Sequence, residues 1–286
     1  MKESIIGQEG PNIFKRQVSR RQLVEAGLKF GGGWLTFEAI RGILPQEDKF
    51  GFIENLSAET RRKLSLYHPK TIAHRGGNSI KHLELSKQAG VDFVEVDLKR
   101  YLGRSLITHG EKWPAVAYDH ARRLFGLSGS IPNVFEISQG IKDQNQNFFI
   151  DLKGDSPLTL VEAVNITRKN GLEDKVSYFG NWQTLDILAD VFDRRDNLFY
   201  SIGNPIALYR FLNEQPQRKA QGVSLDIKLA SEETISILHQ NGCKVYVYGV
   251  HTSKDAVDVL ENGADGLISN NLSVLSVWGK QPTFFV

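Results

Sequence analysis

The chain has 286 residues, 41% of them hydrophobic and 24% charged, with 35 Lys and Arg set against 33 Asp and Glu for a formal net charge of +2. Such a composition supports a full core, excludes disorder and collagen-like repeats, and carries no basic field that would predict nucleic acid as a partner. No uncharged apolar run approaches the ~18 residues of a transmembrane helix, and the single cysteine, Cys243, excludes an intramolecular disulfide and a cysteine zinc site.

Residues 1–70 read as broken amphipathic helices, over 22–30 and 58–66, separated by Gly31-Gly32-Gly33 and Leu44-Pro45. The run Ser19-Arg20-Arg21-Gln22-Leu23 looks like the start of a twin-arginine export signal, but Glu25, Lys29 and Glu38 interrupt the apolar stretch such a signal needs. The segment is therefore read as a helical extension in front of the domain, or as an export segment. A cytoplasmic location is favoured over export through so degenerate a signal. Gly31-Gly32-Gly33 lacks the Lys-Ser/Thr of a phosphate loop and follows no strand, so it is read as a flexible break.

From residue 71 to 286 the pattern becomes short β-rich runs alternating with helical ones. Strands are expected over 71–74, 92–98, 147–153, 175–180, 197–202, 221–226, 244–250 and 264–269. Helices are expected over 158–169, 183–193, 206–213, 232–240 and 254–261, two of them stopping at Asn241-Gly242 and Asn262-Gly263. Alternation of this kind implies parallel strands joined by helical crossovers, and eight such strands imply a closed (β/α)₈ barrel of the TIM type. Residues 105–109 break the rhythm. They follow 92–98 too closely for a parallel crossover, so 99–109 is read as a hairpin above the second strand.

Chemistry-bearing side chains gather at the expected carboxyl ends of strands, where a barrel converges on one site. The first strand ends in His74-Arg75-Gly76-Gly77. The second carries Glu95 and Asp97, two apart and so on one face. The hairpin returns at His109-Gly110, and the third strand carries Asp151 and Lys153. Three carboxylates at this density repel one another unless a cation sits among them, and oxygen-only ligation selects Mg²⁺ or Ca²⁺. An isolated Glu-x-Asp is more commonly a core ion pair, here with Lys99, Arg100 or Lys153. Burying two acids within Phe93-Val94-Glu95-Val96-Asp97-Leu98, however, demands a strong compensating partner. His74 and His109 flank the acids and can divide general base and general acid work. Arg75 and Lys153 suggest an anionic substrate, with a phosphate fitting best. Gly76-Gly77 fits close approach of a backbone to a ligand. Of Tyr246 and Tyr248, one is expected to pack the core and one to line the pocket rim, with His251 as a further rim residue. His68, His82, His120 and His239 are assigned no role.

These residues carry a resemblance. Ala73-His74-Arg75-Gly76, 89–97 ending in Glu95-Val96-Asp97, Thr108-His109, 131–136, Phe149-Ile150-Asp151-Leu152-Lys153, 244–250 and 263–269 occur in the order found in glycerophosphodiester phosphodiesterases. That family belongs to the phosphatidylinositol-phospholipase-C-like phosphodiesterases. The resemblance spans about 71–275, outside the N-terminal segment. It implies His74 and His109 as the acid–base pair and Glu95, Asp97 and Asp151 as holders of a divalent cation. It also implies Arg75 and Lys153 as phosphate contacts, and a substrate hydroxyl as nucleophile, forming a cyclic phosphate. The expected partner is a small phosphodiester or a lysolipid, with peripheral membrane contact compatible and no nucleic acid.

The sequence also departs from the family pattern. Only Gly77-Asn78-Ser79 stands where the family has a longer loop with Pro-Glu-Asn-Thr. His109-Gly110 replaces His-Asp, Asp151 replaces Glu, Tyr248 replaces Trp, and Ser269-Asn270-Asn271 replaces Thr-Asp-Pro. The short loop, His-Gly and Asp-Leu-Lys look more like the sphingomyelinase D and phospholipase D relatives. The leading expectation is a metal-dependent glycerophosphodiester phosphodiesterase. The alternatives are a lysophospholipase D or sphingomyelinase D-like phosphodiesterase, and a catalytically silent barrel that binds phosphorylated ligands.

Overall fold

The structure, a computed structural model, describes residues 68–101, 104–107, 132–144, 147–152, 157–192 and 197–278. All of them belong to one compact unit of the chain, Asp48–Val286. The expected extension up to residue 67, and the expected site residues His109 and Lys153, lie outside the described residues.

The elements follow in the order β1 (Lys70–Ala73), α1 (Ile80–Gln88), β2 (Phe93–Tyr101), β3 (Arg104–Ile107), α2 (Val134–Gln144), β4 (Asn147–Leu152), α3 (Pro157–Lys169) and β5 (Val176–Gly180). They continue with α4 (Trp182–Phe192), β6 (Leu198–Ile202), α5 (Pro205–Arg218), β7 (Gly222–Asp226), α6 (Glu232–Gln240), β8 (Lys244–Tyr248), α7 (Ser253–Glu261), β9 (Gly266–Ser269) and α8 (Leu272–Trp278). The sheet order is β1-β9-β8-β7-β6-β5-β4-β2-β3, and β1 also pairs with β2, which closes the barrel. Among the described residues eight strands are parallel. There β3 alone runs antiparallel, folded back on β2 with Leu98 opposite Ile107 and Tyr101 opposite Arg104. The hairpin expected above the second barrel strand is therefore present over its described part.

Alternation along each strand divides the side chains between two cores. Val94, Val96 and Leu98 of β2, Phe148, Ile150 and Leu152 of β4, and Val245 and Val247 of β8 face the helical layer. Ile72, Phe149, Phe179, Phe199, Tyr246 and Ile268 fill the barrel interior, with Phe93 and Tyr248 packed against them. Phe149 stacks on Phe179 with centroids 4.3 Å apart and meets Phe199 edge-on at 5.1 Å. Burying each such ring contributes roughly 1.5–3 kcal/mol. The result is an aromatic floor beneath the polar residues at the carboxyl ends of the strands.

Both Asn-Gly stops act as expected. Gly242 and Gly263 adopt φ of 75° and 96°, and their N–H groups donate to the carbonyls of His239 and Leu260 at 2.8 and 3.0 Å. One boundary differs. The helix expected to stop near 213 continues as α5 to Arg218, with Pro216 inside it. Gln215, buried beside that proline, supplies the reason. Its side chain donates to the Ala220 carbonyl and accepts from the Ala220 N–H, both at 2.9 Å, which ties the last turn to the entry of β7. Among the described residues, no helix is long and apolar enough to cross a membrane.

Candidate active site

The carboxyl end of β1 turns at once over the end of β2. Gly76 donates its N–H to the Ala73 carbonyl, Asn78 to the Arg75 carbonyl and Gly77 to the Glu95 carbonyl, each at 3.0 Å. Arg75 takes a φ of 57°, in the left-handed region that non-glycine residues rarely occupy. Such strain costs about 1–3 kcal/mol and persists where the surroundings over-determine it. Here the Arg75 N–H donates to Glu95 Oε2 at 2.5 Å. The two glycines have a structural purpose. A Cβ on Gly76 would stand 2.6 Å from Ala73 Cβ and Ser86 Oγ, and one on Gly77 would stand 2.3 Å from Val96 Cγ1. The close approach read into Gly76-Gly77 is thus to the protein's own β2 and α1.

That turn caps an acid cluster. Glu95 and Asp97 of β2 are 1% and 0% exposed, and Asp151 of β4 lies in register beside Asp97. One carboxylate oxygen from each of the three lies within 4.8 Å of the others. At that spacing two unit charges repel by roughly 3 kcal/mol even at an effective dielectric of 20. The Arg75 guanidinium, with Nε 3.5 Å from Asp97 Oδ2, offsets part of this repulsion. A cation among three carboxylates would offset more, and a donor set made of oxygen alone fits a hard divalent ion such as Mg²⁺ or Ca²⁺. The residues present therefore fit the group their chemistry implies.

His74 follows the last residue of β1, and its main-chain N–H donates to the Ser269 carbonyl at 2.9 Å. Two groups stand beside its ring. Nδ1–H donates to Asn270 Oδ1, and Nε2 lies 4.0 Å from Glu95 Oε2. An amide oxygen can only accept, so the proton of the neutral ring belongs on Nδ1 and the lone pair on Nε2, beside the acids. His74, Arg75, Glu95, Asp97 and Asp151, expected as one site from sequence, are brought together by the fold.

The opposite wall is built from the later strands. Tyr246 belongs to the floor, while Tyr248, two residues on, stands half-buried above it. Burial, together with the carboxylates of Asp226 and Asp151, raises the ionisation of the Tyr248 phenol well above its ordinary range. Asp226, at the end of β7, lies in register beside Tyr248. Gly203 leaves room for the Tyr248 hydroxyl, since a Cβ there would stand 2.9 Å from it. His251 sits on the loop after β8, its carbonyl accepting from Asn271 Nδ2 at 3.0 Å. Three contributors were not singled out from sequence: Asn78, Asn270 and Asp226. Asp226 was within reach of the rule that found the other acids, being a carboxylate at a strand's carboxyl end. The asparagines carry no comparable signal.

No family model matches the chain, and no curated protein matches it. Solved structures do share its fold. An Oleispira antarctica phosphodiesterase, solved in complex with the product sn-glycerol-3-phosphate, aligns over 75% of this chain and 98% of its own at 16% identity, with a TM-score of 0.61. Two glycerophosphodiester phosphodiesterases align over 73% of this chain. That of Parabacteroides distasonis is 17% identical over 95% of its length, with a TM-score of 0.61. That of Agrobacterium tumefaciens is 13% identical over 99% of its length, with a TM-score of 0.57. The chain has the barrel fold of the glycerophosphodiester phosphodiesterases, the same family that its motifs resemble.

Proposed function

We propose that this protein is a divalent-cation-dependent phosphoric diester hydrolase that cleaves glycerophosphodiesters with His74 and His109 as its acid–base pair. The observation that carries the reading is the convergence of Glu95, Asp97 and Asp151 beside His74, whose Nδ1 meets Asn270 Oδ1. Glu95, Asp97 and Asp151 would hold the cation, which when bound neutralises charge on the phosphate oxygens and acidifies an adjacent hydroxyl. Arg75, with Lys153, would bind the phosphate and keep the reacting oxygen in line with the bond to be broken.

In this scheme His74 Nε2 accepts the proton of a substrate hydroxyl neighbouring the phosphate. That oxygen attacks phosphorus, the phosphorus–oxygen bond to the alcohol breaks, and His109 protonates the departing oxygen. The product is a cyclic phosphate plus the free alcohol. With the two histidines exchanging roles, water opens the ring to a phosphate monoester. The glycerol phosphate bound to the Oleispira protein is such a monoester.

A second reading is supported by the short loop Gly77-Asn78-Ser79 and by Asp151 in place of Glu. It takes a lysophospholipid or sphingolipid diester as substrate and releases the cyclic phosphate. Phosphorus NMR of products from a panel of both substrate types tests the two together. A monoester from glycerophosphodiesters supports the first reading, and a persistent cyclic phosphate from lysolipids alone supports the second. If neither class is cleaved with Mg²⁺ or Ca²⁺ present, the barrel is a silent binder of phosphorylated ligands.

A further inference from the structure

We infer that Asn78 is a positioning residue for the cation-holding acids, a deduction that rests on the cation reading above. Asn78 lies in the short turn between β1 and α1, where its neighbour Ser79 caps the helix by accepting from the His82 N–H at 3.1 Å. The Asn78 side chain does something different. Its Nδ2 donates to Asp97 Oδ2 at 2.8 Å, and its Oδ1 accepts the main-chain N–H of the same Asp97 at 3.0 Å. One amide thus closes a ring with both the backbone and the carboxylate of a single, fully buried residue. That double bond fixes the rotation of the Asp97 carboxylate.

The rest of the turn performs the matching task on the other buried acid. The Arg75 N–H donates to Glu95 Oε2, which fixes Glu95 as Asn78 fixes Asp97. The turn can do both because Gly76 and Gly77 allow it to press against Ala73, Ser86 and Val96. A neutral amide suits the position. A lysine or arginine there would cancel charge that the cation needs, and a further carboxylate would add to the repulsion among Glu95, Asp97 and Asp151. Asn78 orients Asp97 and leaves its charge intact. Groups that orient metal ligands in this way typically contribute 10–100-fold to metal affinity or activity.

The test is calorimetric titration of Mg²⁺, and separately of Ca²⁺, into chelator-stripped full-length protein, with thermal unfolding of the cation-free proteins as the folding control. Wild type is compared with Asn78→Ala and with Asn78→Leu, which keeps bulk but has no hydrogen-bonding group. Both variants are expected to bind the cation roughly 10–100-fold more weakly. In steady-state assays the cation activation constant should rise by the same factor, with a far smaller change in kcat at saturating cation. If Asn78→Leu binds as wild type does, packing alone positions Asp97 and the inference is wrong while the cation reading stands. If wild type itself binds neither ion, the cation reading fails first and takes the inference with it.

Discussion

The two ends of this barrel use carboxylates in opposite ways. At the amino end, Asp92 and Asp265 are surrounded by donors. Asp92 Oδ2 accepts from both the N–H and the hydroxyl of Thr71 at 3.0 Å, with Lys70 at 3.6 Å. Asp265 Oδ2 accepts from the Val245 N–H at 2.7 Å and faces His239 Nε2 at 2.9 Å. Those acids stitch neighbouring strands and a helix end together. At the carboxyl end, Glu95, Asp97 and Asp151 crowd one another, held beneath a turn with a left-handed arginine. Asp92 and Asp265 are partly exposed and matched to donors, whereas Glu95 and Asp97 are fully buried and share their space with a further acid, Asp151. On the proposed reading, the amino end is arranged for stability, and the carboxyl end holds repulsion that a bound cation would relieve.

Substitutions should separate the two ends. The largest expected effect is on turnover. His74→Ala should lower kcat/KM by about 10²–10⁴-fold, the usual contribution of an acid–base residue, with an unchanged thermal midpoint. Asp92→Ala should leave turnover near wild type below its melting temperature. A His74→Ala protein that still turns over would move the active site elsewhere.

Stability should respond next, and with opposite signs. Asp92→Ala removes the acceptor for two Thr71 donors and is expected to cost about 1–3 kcal/mol, or several degrees in thermal midpoint. Asp151→Asn removes one of three mutually repelling charges. It should raise the midpoint of cation-free protein while weakening cation binding. Calorimetry in EDTA and in excess Mg²⁺ reads both. If Asp151→Asn is destabilised in EDTA, the cluster is a satisfied core network and the contrast between the ends collapses.

The smallest effect concerns Cys243, buried just before β8 at the amino end, where burial pushes its thiol up to about 12. In the unfolded chain it ionises near the ordinary ~8.5. The unfolded state therefore loses its proton first, and stability falls as pH rises from about 9 toward 12. Within the native state at pH 8 the thiol should resist aromatic disulfide reagents and react once denaturant is added. Rapid labelling of native protein would show that this end is looser than its packing implies.

Much of this arrangement was legible in the amino-acid order. The strands announced themselves as short β-rich runs between helical ones, and Asn-Gly pairs stop two helices where the next strand begins. The hairpin at β3 was legible from chain length alone, since too few residues separate it from β2 for a crossover. Glu95, Asp97 and Asp151 were legible because acids inside apolar strand runs demand a partner. Less local features were hidden. Asn270 meets His74 across 196 residues of chain, and no spacing rule connects them. Asn78 reads as an ordinary turn asparagine until the fold sets it against Asp97. The helix reads as ending near 213, and α5 runs on through Pro216 to Arg218 because Gln215 finds both partners on Ala220, just before β7.

The central claim is that the acid cluster at the carboxyl end is the cation-dependent site of phosphodiester cleavage. The most direct test is the rate of glycerophosphodiester cleavage by chelator-stripped wild type, followed as Mg²⁺ or Ca²⁺ is returned. No turnover is expected in EDTA, with recovery that saturates with one of the two ions. Turnover that persists undiminished in EDTA would contradict the claim.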